Sequence, residues 1–101
     1  MPRNTTSSSV FFYTYVLQSI KDMKLYIGYT NNLMRRIEEH RKGSSFATKL
    51  RLPFKLIYFE AYRNVSDAKR REGYLKTTQG SRFLGLRLKE YKRSSALASG
   101  R

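Results

Sequence analysis

The chain has 101 residues, room for one domain with one modest core and not for a separate recognition module. It carries 21 Lys and Arg against 7 Asp and Glu, a formal charge of +14, and that self-repelling excess points to a polyanionic partner, nucleic acid first. With no cysteine and one histidine it excludes disulfides, thiolate zinc, thiol nucleophiles and multi-histidine metal centres; a metal would sit on carboxylates and water, which points to Mg2+ or Mn2+.

Met1 to Ser9 is polar and reads as a disordered leader without a signal-peptide apolar stretch. Val10 to Gln18 is β-branched and aromatic, apolar on both alternating faces, and predicts a central strand covered on both sides. Lys21 to Lys24 is a polar turn, and Leu25 to Tyr29 a second strand of an antiparallel hairpin, with Gly28 marking a close approach. Thr30 or Asn31 caps a helix starting near Asn32, with Leu33, Met34 and Ile37 as its apolar stripe and Gly43 as its stop. A Ser-rich loop follows, then a strand from Phe54 to Tyr62. Ser66 caps a second helix to about Lys76, Gly80 breaks it, and Ser81 to Tyr91 reads as a final helix. Ser94 to Arg101 reads as a disordered tail, which leaves residues 10–93 as the ordered domain. The order β-β-α-β-α-α makes a small α+β layer fold. No apolar run approaches the ~18 residues of a membrane span, so the expectation is a cytoplasmic protein without membrane contact.

Several residues could carry chemistry. Glu72 falls on the inner stripe of the second helix with Val65, Ala68 and Leu75, where a carboxylate is costly unless paired or metal-bound. A salt bridge with Lys76 or Lys69 is the plain alternative. Arg36 and His40, four apart, flank the stripe of the first helix; the arginine could hold a phosphate and the histidine move a proton. A snorkelling arginine and a histidine favoured by the helix dipole are the plain alternatives. Tyr13, Tyr15, Tyr26 and Tyr29 cluster on the hairpin, where tyrosine is also an ordinary packing residue. The basic residues Arg35, Arg41, Lys42, Lys69, Arg70 and Lys76 are candidate phosphate contacts or simply solvated helix faces.

Tyr13-Thr14-Tyr15, then Tyr26-Ile27-Gly28, then Arg36 and His40 on the next helix and Glu72 on a later one, resembles the GIY-YIG nuclease domain. The tract from Glu72 through Gly80 to Phe83-Leu84 is similar to that of the small single-domain bacterial members. The resemblance implies a three-stranded antiparallel sheet flanked by helices, and a metal-dependent endonuclease cutting DNA phosphodiester bonds. It implies Glu72 as ligand of Mg2+ or Mn2+, Tyr15 and Tyr26 lining the site, Arg36 on phosphate, and His40 assisting proton transfer. The expected partner is DNA, with RNA second; a structure-directed role in repair or recombination is one expectation. A non-catalytic basic DNA- or RNA-binding domain is the alternative. A protein partner and the oligomeric state stay open.

Overall fold

The computed structural model describes residues 10–98, and the leader expected at Met1–Ser9 lies outside them. Strand β1 (Phe12–Ser19) is central, pairing antiparallel with β2 (Leu25–Thr30) on one side and β3 (Phe54–Tyr62) on the other. Four helices flank this sheet: α1 (Leu33–Arg41), α2 (Val65–Leu75), α3 (Thr78–Arg87) and α4 (Lys89–Ala98). The three-stranded antiparallel α+β architecture is the expected one, with one helix more.

The alternation of β1 divides the molecule into two faces. Val16 points to the face that α2, α3 and α4 cover, in a core with Leu75, Leu84 and Leu88. Thr14 shares that face, and its hydroxyl donates to the Ala68 carbonyl of α2 at 2.6 Å. Tyr15 points to the other face, toward α1 and His40. Both faces of β1 are therefore buried, which is why its sequence is largely apolar.

The helix ends follow side-chain chemistry that differs in detail from the sequence expectation. Asn32, rather than Thr30 or Asn31, caps α1, accepting from the Arg35 amide at 3.1 Å. Asn64, rather than Ser66, caps α2, accepting from the Ser66 amide at 2.8 Å. Gly43 does end α1: it sits at φ +80°, its amide bonds the His40 carbonyl, and the Ser44 amide bonds Glu39. This left-handed cap turns the chain back beneath the helix. Met34, expected on the apolar stripe, is 83% exposed, because the short helix buries only the side that carries His40.

Gly80 does not break a helix. It lies buried in the first turn of α3, where any Cβ would collide with the Tyr74 carbonyl oxygen and the Leu75 backbone. Its role is close packing of α3 on the end of α2. The expected helix Ser81 to Tyr91 is two helices, parted at Leu88. The second of them runs through Ser94 to Ala98, where the sequence suggested a tail.

Candidate active site

The site begins with Tyr15, whose ring lies across the neighbouring strand. Its partner in the ladder is Gly28, and a Cβ at Gly28 would stand 2.5 Å from the Tyr15 Cζ and hydroxyl oxygen. Only glycine leaves room for that ring. The Tyr15 hydroxyl meets His40 Nε2 at 2.9 Å, and His40 Nδ1 meets Thr48 Oγ1 at 2.7 Å. All three residues are at most 1% exposed.

Tyr26 closes the cluster, its ring centroid 5.3 Å from that of His40 and 6.4 Å from that of Tyr15. It is half-buried, and its hydroxyl has no hydrogen-bond partner among the described residues. Arg36 stands one helical turn before His40. Its guanidinium is held by Glu39 at 2.8 Å and by the Ser45 hydroxyl at 3.5 Å, and it also acts on the Tyr15 hydroxyl.

The electrostatics keep this cluster neutral apart from Arg36. Burial pushes the Tyr15 phenol above its ordinary value, and the Arg36 hydrogen bond only partly offsets that. Burial, and then the Arg36 charge, hold the His40 imidazole below its ordinary value. At neutral pH both groups are uncharged, so neither a phenolate nor an imidazolium rests here.

Glu72 is close enough for its charge to act on Tyr15. It is not fully buried: its side chain is 25% exposed, and its Oε2 accepts from Lys76 Nζ at 3.0 Å, the pairing weighed from the sequence. Oε1 has no partner among the described residues, so one carboxylate oxygen stays open toward solvent. Among those residues no group of three or more His, Cys, Asp and Glu gathers to hold a metal. A cation here would rest on Glu72 and water, a donor set that suits Mg2+, which keeps most of its water shell.

The structure thus brings Tyr15, Tyr26, Arg36 and His40 together, with Glu72 at electrostatic range. The basic residues are less concentrated. Arg41 and Lys42 share Glu38, Arg70 pairs with Asp67, and Arg35 lies 3.9 Å from Glu39. Lys69 covers the Tyr29 ring at 5.4 Å, and Lys76 is on Glu72. The sequence reading missed Glu39, Ser45 and Thr48. Two small hydroxyl residues in a loop straight after a helix carrying Arg36 and His40 were the available signal.

This constellation on a three-stranded sheet has relatives. Residues 11–95 match the family model described as the GIY-YIG catalytic domain. The chain belongs to the GIY-YIG family. Its catalytic domain is that of a nuclease superfamily whose members generally use divalent metals and act on nucleic acid. The chain is 46% identical over 65 residues to a UPF0213 protein of Clostridium perfringens, covering 63% of this chain and 69% of that one. It is 52% identical over 58 residues to a UPF0213 protein of Pediococcus pentosaceus, 56% of this chain and 60% of that one. A UPF0213 protein of Oceanobacillus iheyensis is 40% identical over 81 residues, 78% of this chain and 90% of that one. The solution NMR structure of a UPF0213 protein from Bacillus halodurans shares 32% identity, with a TM-score of 0.46 over 73% of this chain and 81% of that one. Among the described residues no helix of this GIY-YIG domain is long and apolar enough to cross a membrane.

Proposed function

We propose that this GIY-YIG chain is a divalent-metal-dependent endonuclease that hydrolyses phosphodiester bonds of DNA at the face formed by Tyr26, Arg36 and Glu72. The observation that carries this reading is the contrast within the site. A fixed guanidinium, an unpartnered phenol and an open carboxylate oxygen lie around a buried neutral hub.

Arg36 would take a non-bridging phosphate oxygen, its fork already ordered by Glu39 and Ser45. Glu72 Oε1 would hold Mg2+ or Mn2+, a Lewis acid that stabilises charge on the phosphate and on the leaving oxygen. Tyr26, the phenol of the pair with a free hydroxyl, would orient the attacking water. We place Tyr15 and His40, both buried, as a support behind this face, where the resemblance implies a proton-transfer role for His40. Burial raises the phenol and lowers the imidazole, so both are neutral at neutral pH and joined by a hydrogen bond at 2.9 Å. DNA repair or recombination and a structure-directed choice of substrate are the settings we propose for such an activity. DNA is the proposed substrate, with RNA in the test below as the comparison.

A reading as a non-catalytic binding domain explains the +14 charge equally well but leaves Glu72 only its pairing with Lys76, and an acid facing a polyanion weakens binding. The test is a panel of labelled duplex, single-stranded, nicked, flap and four-way-junction DNA, with one RNA duplex, in Mg2+ or Mn2+. The expected result is metal-dependent cutting that Glu72→Ala abolishes while binding persists. Tight, salt-sensitive binding with no cutting by the wild type would replace the nuclease reading with the binding one.

A further inference from the structure

Thr48 opens the short 3-10 turn Lys49–Arg51, the position where a threonine hydroxyl ordinarily accepts a backbone N–H. Here it makes no such bond. The hydroxyl is turned inward, wholly buried, onto His40 Nδ1 at 2.7 Å. The turn that carries it is pinned by the Thr48 and Lys49 amides to the Ser45 carbonyl, and Ser45 in turn touches Arg36. One loop therefore reaches both His40 and Arg36 by side-chain oxygens.

A neutral imidazole carries one N–H, and the two tautomers have different consequences. With the proton on Nδ1, Thr48 accepts it and Nε2 is left to accept from the Tyr15 hydroxyl. With the proton on Nε2, Thr48 donates to Nδ1 and Tyr15 becomes an acceptor. Each arrangement leaves one hydroxyl proton without an acceptor among the described residues, that of Thr48 in the first and that of Tyr15 in the second. A phenol, with a reference pKa near ~10, is a far stronger donor than an alcohol, so orphaning Tyr15 is the costlier choice. This selects Nδ1–H. The Tyr15 hydroxyl then donates to His40 Nε2.

We infer that Thr48 is a positioning residue that fixes the Nδ1–H tautomer of His40 and, through it, the direction in which the Tyr15 hydroxyl donates. The chain runs from Thr48 Oγ1 to Nδ1–H and from Nε2 to the Tyr15 hydroxyl. No proton moves along it. Its consequence for cutting rests on the nuclease reading above, but its tautomer does not.

The sole histidine makes the test unambiguous. Long-range 1H–15N correlation of the imidazole in the full chain at neutral pH reads which nitrogen is protonated. The expected wild-type result is Nδ1 protonated and Nε2 bare. Thr48→Val keeps the shape and removes the acceptor, so the Nε2–H form should dominate; Thr48→Ser should restore the wild-type pattern. If a cleavable substrate is in hand, Thr48→Val should also cut roughly tenfold or more slowly, with Thr48→Ser close to wild type. A wild-type spectrum showing Nε2–H overturns the inference without any variant, even if Thr48→Val does not fold. A Thr48→Val protein that keeps Nδ1–H overturns it too. A chain that cuts nothing but shows this tautomer pattern separates failure of the nuclease reading from failure of this one.

Discussion

His40 is nearly inaccessible and uncharged at neutral pH, and that has a cost under acid. Burial and the Arg36 charge depress its pKa in the fold, whereas in the unfolded chain it titrates near ~6.5. Between those two values the unfolded state binds the proton and the folded state does not. Stability is therefore full above pH ~6.5 and falls as the pH drops toward the folded value. Thermal melts of the wild type should lose stability from pH ~6.5 to ~5.5, before most carboxylates titrate, and His40→Gln should melt with a flatter profile over that interval. Equal slopes for the two proteins would mean that His40 is not held neutral. At this scale the sequence displayed the actors but not their bonds. The spacing of Arg36 and His40 put both on one side of a helix, and the i+4 pair of Glu72 with Lys76 could be counted directly. The hydroxyls that hold the hub come from 25 residues upstream of His40 and 8 residues downstream, separations no periodicity encodes.

Helix α2 carries Glu72, and its seating against the sheet decides where that carboxylate stands. Beside Glu72, Arg71 grips Glu60 of β3 with two hydrogen bonds, at 2.8 and 3.1 Å. The Tyr58 and Tyr62 hydroxyls also donate to Glu60. Burial would push the Glu60 carboxyl up, but Arg71 and the two phenols outweigh it and hold the group below its ordinary range. Burial, and then the hydrogen bond to Glu60 and its charge, push the Tyr62 phenol up to about 12. Arg71 also stacks on Tyr74 and Phe83, which ties α2 to α3. Glu60→Gln keeps the shape and removes the charge; it should cost about 2 kcal/mol. That corresponds to a drop of roughly 10 °C in Tm, and a loss of under about 2 °C would show that the network does not anchor the helix. The elements themselves were largely legible. Strand Phe54–Tyr62 has the expected limits, because alternation and Pro53 mark it. The helix α3 was not, because Gly80 reads as a breaker and acts instead through a contact with the end of another helix. Such a contact is a tertiary fact that local propensity does not carry.

Across the whole molecule the +14 charge is spread over all the helices, and several cations are already paired on their own surface, as Arg41 with Glu38 and Arg70 with Asp67. Exposed pairs of this kind are worth little and exchange readily for phosphate. On the proposed nuclease reading, the basic surface would supply general affinity for a polyanion, while the cut would depend on a small open face beside a buried hub. The charge and the family were legible in the chain; the division of labour between two tyrosines was not, because it depends on burial. Tyr15 is 1% exposed with a committed hydroxyl, and Tyr26 is half-buried with one that has no hydrogen-bond partner among the described residues. On the proposed reading, removing that one oxygen would separate cutting from binding. The measurement is the single-turnover cleavage rate of Tyr26→Phe beside the wild type, with Mg2+, on the substrate the panel selects, and with affinity measured in parallel. The account predicts a rate lower by ~10²-fold at nearly unchanged affinity. A variant that cuts within about threefold of the wild type would contradict it, since so small a change is far below what loss of a water-orienting group costs.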